Sequence, residues 1–317
     1  MKKYCIGSRI GAEQVSFGIF EKSGHPVDFW TMDSCKGNGC KKTLSDMSNS
    51  IQRKLQKIEI DPQELLGVGV SIPGEMNRDG LLNYCVELGW GIVEIKTLMQ
   101  KMIGLPVRVV NRRDAAVLGE HWTAGRESIH HMVNILLGDK LQGGLIIHDK
   151  LIYGDGNITG DLGDMQLLTH TSKGRSEWKR LDQAASYAAI VENYKKQVMD
   201  RGAPSMFSDL DDLEIRDIQH AADSGDPLAN KLLDEAAVLI AGSIANLGSV
   251  VKLDLAVIGG EGTEENKKMS RKIKNQYKKW NMDHRLEVRF TKLGIAAEVY
   301  GSAKLLMEEE IRDERIG

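Results

Sequence analysis

The segment Asn111–Glu120 reads Asn-Arg-Arg-Asp-Ala-Ala-Val-Leu-Gly-Glu and follows the valine-rich run Val107–Val110 without a break. The run is short and rich in valine, which predicts a buried strand, and the alanine-rich segment predicts a helix over Asp114–Thr123. Asp114 stands where that helix begins and is the expected N-cap. A helix that starts directly after a buried strand is typical of α/β proteins.

Strands and helices alternate on the N-terminal side of this junction. A strand, a glycine turn and a second strand are predicted over Tyr4–Phe20, and further strands over Pro26–Met32 and Leu66–Ile72. Apolar residues at helical spacing predict helices over Thr43–Ile58 and Ile92–Met102.

The C-terminal side repeats the same order. The predicted strands are Met132–Leu137, Gly143–His148, Leu253–Ile258 and Leu286–Phe290. The predicted helices are Leu181–Asp200, Glu214–Ser224, Asp226–Val250, Thr263–Trp280 and Ile295–Arg315. Two successive rounds of mixed strands and helices predict two similar lobes, one of residues 1–120 joined by the helix at about 295–317, the other of residues 121–294.

Composition excludes several classes of protein. The 317 residues carry 42 Lys and Arg against 45 Asp and Glu, so the formal charge of −3 argues against direct nucleic-acid binding. No apolar run approaches the roughly 20 residues that span a bilayer, so no membrane association is expected. The first residues lack the apolar stretch of a signal peptide, and a cytoplasmic location is expected.

Glycine and cysteine usage adds two further expectations. The chain has 33 glycines and 6 prolines, which indicates ordered turns and close backbone approaches rather than disorder. Its four cysteines, Cys5, Cys35, Cys40 and Cys85, do not have the spacing of a disulfide framework. Cys35 and Cys40 are expected to be reduced loop thiols, with metal binding as the alternative.

Five glycine-bearing segments, in order, resemble the ROK family of bacterial sugar kinases and sugar-responsive repressors. Asn111–Glu120 resembles the family's Asn-Asp-Ala-Asn-Ala-Ala-Ala-Leu-Gly-Glu without gaps. The other four are Gly67–Gly74, Gly160–Asp164, Val257–Gly260 and Gly294–Ala303. The resemblance covers nearly the whole chain. It implies the two-lobed actin-like ATPase (ribonuclease H-like) fold, a sugar held between the lobes, and a homodimer.

The first phosphate loop of the family, Asp-x-Gly-Gly-Thr, resembles residues 9–13, which read Arg-Ile-Gly-Ala-Glu with Gly11 retained. Arg9 takes the position of the Asp that serves metal and phosphates, and Glu13 takes that of the Thr. A guanidinium cannot ligate Mg²⁺, and a carboxylate repels triphosphate. Arg9 remains able to contact an anion directly.

The second phosphate loop, Gly-Thr-Gly-x-Gly-Gly-Gly in the family, resembles residues 138–144. Gly138 is kept, but Asp139 replaces the Thr, and Lys140 and Gln142 replace two glycines. These side chains are expected to disrupt a backbone nest around phosphate.

A third glycine pair, Gly259-Gly260, follows the predicted C-terminal strand. It has two interpretations: contact with a nucleotide, or an ordinary turn from strand to helix.

The position of the catalytic base is the decisive one. In the family the Asp after the Asn deprotonates the sugar hydroxyl, and the corresponding residue here is Arg112. Arginine stays protonated and offers no acceptor. Asp114, two residues further on, is a weak substitute candidate, so no catalytic residue is assigned.

The family's zinc site uses one His and three Cys. The resemblance places Asp164 at the His position and Lys173, Arg175 and Arg180 at the Cys positions. None of the four is a good zinc ligand, and an ion-pair cluster is the expected replacement.

The sugar-holding positions are better kept. They correspond to Gly74, Asn111, Asp161 and Asp182, with Asp164 where the His would be. Two interpretations stay open: these groups hold a small sugar, or the acids pair with Arg112, Arg175 or Arg180 and bind nothing.

The sequence therefore predicts a catalytically inactive ROK-family protein, a pseudokinase that binds a sugar or acts as a regulator in carbohydrate metabolism. No cofactor and no zinc are expected. One alternative is an active, glucokinase-like sugar kinase with a rearranged site built on Asp114, Asp139 or Asp161, which would need ATP and Mg²⁺. Another is a sugar-responsive transcriptional regulator without its own helix-turn-helix.

Overall fold

The computed structural model describes residues 2–34, 37, 39–77, 80–124, 129–152, 161–170, 176–260, 267–280 and 286–316, with side chains except at 170, 201, 267 and 309–316. The chain divides into two compact units. Unit 1 comprises Met1–Glu127, Tyr153–Thr159 and Ile295–Gly317. Unit 2 comprises Ser128–Ile152 and Gly160–Gly294.

Unit 1 is built on a five-stranded mixed sheet of order β3-β2-β1-β4-β8. Its strands are β1 (Tyr4–Ile10), β2 (Gln14–Glu21), β3 (Pro26–Asp33), β4 (Leu65–Ile72) and β8 (Val107–Asn111). The pairs β1–β2 and β2–β3 are antiparallel, whereas β1–β4 and β4–β8 are parallel. Every residue of β4 is buried, as expected for a central strand.

A smaller sheet and four helices complete the described part of unit 1. The smaller sheet consists of β5 (Glu75–Met76), β6 (Leu81–Tyr84) and β7 (Val93–Glu94). The helices are α1 (Gly39–Lys57), α2 (Ile95–Ile103), α3 (Arg112–Thr123) and α9 (Ala296–Ile316). Helix α9 closes the unit by packing on α3, β1 and β4.

Glycine sets the distance between α3 and α9. A Cβ atom on Gly301 would lie 1.7 Å from the carbonyl oxygen of Ala115, and one on Gly119 would lie 1.9 Å from that of Ala297. Glycine inside a helix costs roughly 0.5–1 kcal/mol relative to alanine. The close approach of the two helix backbones explains why both positions carry it.

Unit 2 has a second five-stranded mixed sheet, of order β11-β10-β9-β14-β15. Its strands are β9 (Met132–Leu137), β10 (Gln142–Ile147), β11 (Lys150–Leu151), β14 (Leu255–Gly260) and β15 (Glu287–Phe290). Antiparallel pairing links β9, β10 and β11, and parallel pairing links β9, β14 and β15. The two units therefore share one strand arrangement, as the repeated order of elements predicts.

A hairpin and five helices complete the description of unit 2. The hairpin pairs β12 (Gln166–His170) with β13 (Ser176–Arg180). The helices are α4 (Leu181–Ala185), α5 (Tyr187–Arg201), α6 (Ile215–Asp223), α7 (Pro227–Val251) and α8 (Lys267–Trp280).

Helix α7 is long and apolar enough to cross a membrane by length and composition, the one such helix among the described residues. Its side chains instead form the centre of the core of unit 2, with Leu232, Leu233, Ile240 and Ile244 almost completely buried. It is therefore a core helix of unit 2.

Four local predictions were wrong. The helix expected over Ile92–Met102 begins at Ile95, because Val93 pairs with Leu82 as a strand. The helix expected over Leu181–Asp200 breaks at Ser186, whose hydroxyl accepts from Ala189 N and caps α5. Asn111, not Asp114, is the N-cap of α3, since its side chain accepts from Asp114 N at 2.8 Å.

The fourth concerns Cys40, which lies in the first turn of α1 rather than in a loop. Burial raises the pKa of this thiol to about 11. Cys35, and residues 263–266 of the predicted helix before α8, lie outside the described residues.

Candidate functional site

The start of α3 is held by a small hydrogen-bonded network. Asn111 ends β8, and its Nδ2 donates to Asp114 Oδ2 at 3.0 Å while its Oδ1 accepts from the backbone of Asp114. The other oxygen of Asp114 accepts from Arg113 Nε at 3.1 Å. Burial raises the pKa of Asp114, and Arg113 and Asn111 oppose that rise. Both oxygens of Asp114 are thus engaged in holding the helix start.

Arg9 is buried near the end of β1 and pairs with a residue far away in the chain. Its Nε donates to Glu298 Oε1 at 3.0 Å. Glu298 lies in the first turn of α9 and is also buried. Its second oxygen accepts from the hydroxyl of Ser71, on β4, at 2.9 Å.

Arg112 is the first residue of α3, and two ends of its guanidinium face two carboxylates. The Nε atom lies 3.5 Å from Glu298 Oε1. The Nη1 and Nη2 atoms donate to the two oxygens of Glu87, at 3.0 and 2.9 Å. Two parallel N–H···O bonds form the bidentate arrangement that arginine makes with a carboxylate. We call Arg9, Ser71, Glu87, Arg112 and Glu298 the arginine cluster.

Glu298 is the centre of the arginine cluster. Burial raises the pKa of its carboxyl, while Arg9, Arg112 and Ser71 oppose that rise. A buried carboxylate is stable only if it is paired and hydrogen-bonded, and two guanidinium groups and a hydroxyl provide this.

Sequence reasoning did not single out Glu298 or Glu87. The available signal for Glu298 was a lone acidic residue within the otherwise apolar segment Ile-Ala-Ala-Glu-Val. That pattern does not say which residues face the carboxylate.

The donor set of the arginine cluster does not suit Mg²⁺ or a general base. Magnesium prefers carboxylate and water oxygens, whereas positions 9 and 112 supply guanidinium groups. The carboxylate of Glu298 is already engaged by both of them. Among the described residues, no group of three or more His, Cys, Asp or Glu side chains is arranged to hold a metal ion.

The remaining predicted residues of unit 1 have mainly structural contacts. A Cβ on Gly11 would lie 2.4 Å from the guanidinium of Arg9, so glycine leaves room for that side chain. Glu13 is exposed, and its carbonyl accepts from Ser34 N. Gly74 has a φ of +108°, and a Cβ there would lie 2.5 Å from the carbonyl oxygen of Tyr84.

In unit 2 the loop that resembles the second phosphate loop is fixed by backbone contacts. The carbonyl of Gly138 accepts from Tyr187 N at 2.9 Å, and Asp182 Oδ1 accepts from Leu141 N at 2.6 Å. Asp139 and Lys140 are exposed. Asp182 therefore holds the loop to the start of α4.

The other acids of unit 2 also have local partners. Asp161 caps a short 3₁₀ turn by accepting from Gly163 N at 3.0 Å. Asp164 pairs with Arg180 at 3.1 Å, with both side chains about half exposed. This pair is part of the ion-pair cluster expected at the zinc positions. Lys173 and Arg175, the other two cations, lie outside the described residues.

Gly259 and Gly260 end β14. Gly260 has a φ of +113°, and a Cβ on it would lie 2.0 Å from the carbonyl oxygen of Leu137. The close contact with β9 explains why glycine stands at this position, and the explanation does not require a bound nucleotide.

The fold defines the class of protein. The chain is a two-lobed α/β protein with the actin-like ATPase architecture, and it is built on two mixed sheets. The sequence pattern described as "ROK family" matches residues 5–309. The chain belongs to the ROK family, as the glycine-bearing motifs predict.

Named relatives are distant and fall into two groups. The chain is 24% identical over 317 residues to a glucokinase of Halalkalibacterium halodurans, covering 97% of this chain and 96% of that protein. It is 23% identical over 281 residues to a xylose repressor of Caldicellulosiruptor bescii, covering 86% of this chain and 70% of the repressor.

The fold also matches solved structures. The crystal structure of a ROK family glucokinase from Streptomyces griseus, in complex with glucose and AMPPNP, has a TM-score of 0.70 and 22% sequence identity. The match covers 95% of this chain and 98% of that one. At this identity the likeness establishes the fold.

Proposed function

We propose that this protein is a catalytically inactive member of the ROK family, which binds a sugar and serves a regulatory role in carbohydrate metabolism. One observation carries the proposal. Arg112 stands where the family's base is expected, and its guanidinium is held between the carboxylates of Glu298 and Glu87. A permanently protonated group cannot deprotonate a sugar hydroxyl, and loss of a positioned base costs roughly 10²–10⁴ in rate.

The phosphate-binding positions support the same conclusion. Phosphoryl transfer depends on positioning the phosphates and neutralising their charge, usually with Mg²⁺. Arg9 forms a buried ion pair at the metal position, and Asp139 adds an exposed carboxylate at the second loop. The proposal therefore includes no ATP, no Mg²⁺ and no zinc as cofactors.

The proposal includes sugar binding, which the side chains at the family's sugar positions support. Asn111, Asp161, Asp164 and Asp182 supply amide and carboxylate oxygens of the kind that accept hydrogen bonds from sugar hydroxyls. A carboxylate oxygen that accepts a backbone N–H, as in Asp161 and Asp182, can accept a second hydrogen bond. The solved Streptomyces griseus relative binds glucose, which makes hexoses the first ligands to test.

A second candidate is an active ATP-dependent sugar kinase with a rearranged site. It is favoured by the glucokinase of Halalkalibacterium halodurans, which resembles 97% of this chain. Under this candidate Asp114, Asp139 or Asp161 would replace the base or the metal ligand. A third candidate, a regulator that acts on transcription, is favoured by the relationship to a xylose repressor.

Two measurements decide between these candidates. A coupled assay with ATP, Mg²⁺ and a panel of hexoses and N-acetylhexosamines is expected to show no turnover. Turnover near 1 s⁻¹, the low end for kinases, would establish the second candidate. The melting temperature is expected to rise with a hexose and to stay unchanged with ATP and Mg²⁺.

The variant Arg112→Asp provides a matched control for the assay. Restoring the carboxylate is expected not to restore turnover, because Arg9 still occupies the metal position. A gain of activity in Arg112→Asp would show that the base alone was missing.

The proposal extends to assembly and location. We propose a homodimer in the cytoplasm, with no direct contact to nucleic acid or membrane. Light scattering coupled to size-exclusion chromatography measures the first point, and a monomer at micromolar concentration would contradict it.

A further inference from the structure

Strand β3 forms an open edge of the five-stranded sheet of unit 1. Within the described part of the chain, β3 pairs with β2 on one side and with no strand on the other. A long edge strand is open to pairing with another chain unless charges, prolines or bulges guard it. Pro26, Asp28 and an irregular register guard the first half of β3. Residues 29–32 read Phe-Trp-Thr-Met and contain neither a charge nor a proline.

The second half of β3 directs backbone groups outward at alternate residues. In antiparallel pairing every second residue exchanges hydrogen bonds with the neighbouring strand. Ser34 N donates to Glu13 O at 2.8 Å, which identifies the even-numbered positions as those that face β2. Phe29 N instead donates to the side chain of Asp28 at 2.7 Å, as expected for an N–H that points away from β2. The N–H and C=O of Thr31 therefore point outward from the sheet.

Two apolar side chains beside this edge are exposed. Val27 and Phe29 are 44% and 45% exposed. Both lie on the same face of the sheet as Thr31, because side chains alternate along a strand. Burial of such side chains stabilises an interface. The backbone groups and the apolar surface therefore both favour a second strand at this edge.

Helix α1 lies along the other face of β3 and runs antiparallel to it. Asp28 accepts from Lys54 Nζ at 2.8 Å, and Trp30 Nε1 donates to the hydroxyl of Ser50 at 3.0 Å. Lower-numbered residues of α1 therefore lie beside higher-numbered residues of β3. A groove runs between the outer face of this helix and the strand.

The charges of this groove are not balanced within one chain. Its lining includes Asp33 of β3, and Asp46, Asn49 and Arg53 of α1. Arg53 is exposed, and its side chain makes a single hydrogen bond to the described residues, from Nε to Asn49 O at 3.3 Å. Asp46, about two turns away on the helix, pairs with Lys42. Arg53 is therefore a cation that no described carboxylate of its own chain pairs with.

We propose that the edge of β3 pairs with the β3 of a second copy of this chain, antiparallel and centred on Thr31, so that the two five-stranded sheets become one. The inference rests on the homodimer of the proposed function and names its surface. A two-fold axis at Thr31 makes the interface self-complementary. It places Phe29 opposite the partner's Asp33, so no acid of the strand lies opposite another acid.

The same axis brings the two α1 helices side by side and antiparallel. Arg53 and Asp46 lie on opposite sides of the level of Thr31, so Arg53 comes to about the level of the partner's Asp46. Helix side chains lean toward the N-terminus of their own helix, and in an antiparallel pair these two lean toward each other. The partner thus supplies the carboxylate that Arg53 lacks in its own chain. A second copy fits this surface by charge as well as by backbone pairing.

Sedimentation velocity over a dilution series tests the strand contact. The natural protein is expected to be a dimer at micromolar concentration. Thr31→Pro removes an outward N–H on each copy and keeps the bonds to β2. It is expected to raise the dissociation constant at least about tenfold, because the axis doubles the lost bond. Thr31→Val keeps the N–H and is the matched control, which is expected to dimerise like the natural protein. Circular dichroism of each variant confirms that it is folded.

Two charge reversals test the contact between the helices. Arg53→Glu and Asp46→Lys each place like charges across the axis twice, and each is expected to raise the dissociation constant at least about tenfold. The variant that carries both changes restores opposite charges across the axis. It is expected to dimerise nearly as tightly as the natural protein, which a loss of folding would not allow.

The possible outcomes separate this inference from the proposed function. A natural protein that is monomeric overturns both this surface and the homodimer, and the edge of β3 would then serve a different partner. A dimer that Thr31→Pro leaves intact overturns the surface and leaves the homodimer standing. A double variant as weak as the single ones overturns the arrangement centred on Thr31. Turnover with ATP would overturn the proposed inactivity and leave the surface standing.

Discussion

The arginine cluster of unit 1 and the acidic residues of unit 2 hold their charged side chains in two different ways. In unit 1 arginines stand at positions 9 and 112. Glu298, a buried residue of α9 that is distant in the sequence from Arg9 and Arg112, pairs with both. In unit 2 Asp161, Asp164 and Asp182 make hydrogen bonds or ion pairs within the unit, in partly or largely exposed positions. The difference teaches that a charge in the interior needs an oppositely charged partner, whereas a charge near the surface is tolerated with hydrogen bonds and solvent.

Glu298→Ala is expected to have the largest effect, because it removes the buried anion between two arginines. Breaking a buried ion pair from one side costs about 3–5 kcal/mol. Denaturant unfolding of the variant measures the loss, and hydrogen exchange in α3 and α9 locates it in unit 1. A loss below about 1 kcal/mol would show that the arginine cluster behaves like a surface ion pair. The distinction between the buried charges of unit 1 and the exposed charges of unit 2 would then not hold.

Gly301→Ala follows, with an expected loss of about 3 kcal/mol, because the added carbon would lie 1.7 Å from a backbone oxygen of α3. Gly242→Ala, in α7 of unit 2, is the matched control. A Cβ there meets Trp280 at an ordinary 3.5 Å. The control is expected to gain up to about 1 kcal/mol from helix propensity. Equal melting temperatures for the two variants would contradict the close packing of α3 on α9.

Asp182→Ala is expected to cost about 1–2 kcal/mol, since it leaves the partly buried N–H of Leu141 without its acceptor. Asp182→Asn keeps an acceptor oxygen and is expected to lose less than half as much. The two are compared by thermal unfolding. If both variants lose the same stability, the charge of Asp182 matters more than its hydrogen bond. Unit 2 would then depend on a charge in the way that unit 1 depends on Glu298.

Asp164→Asn is expected to have the smallest effect, below about 1 kcal/mol, because its pair with Arg180 is about half exposed. High salt is expected to remove what difference remains between this variant and the natural protein. A larger, salt-independent loss would indicate a cluster as tightly coupled as that of unit 1.

Long elements were predictable from the sequence, and short ones were not. Strand β4 is a mainly apolar run, and the long α1 and α7 have clear helical periodicity. Strands β5 and β7 have two residues each, and β13 reads Ser-Glu-Trp-Lys-Arg, with no alternation of apolar and polar residues. Such segments become strands only because a partner strand lies beside them.

Sequence reasoning about the candidate site reached single positions and not their contacts. Arg9 and Arg112 were recognisable as unsuited to metal binding and base catalysis, since an arginine side chain has the same charge in every protein environment. The cap of α3 was misassigned to Asp114, because the sequence offers both an Asn and an Asp within four residues. Which of them caps depends on where the strand before them ends.

By itself the sequence determined the α/β class, the family and the positive charges at positions 9 and 112, because these follow from local patterns and from side-chain chemistry. Only the tertiary structure decided what neutralises the two arginines. Arg9 and Glu298 are 289 residues apart and meet because α9 packs across β1 and β4. No local pattern encodes such a contact, since it is fixed by the packing of whole elements.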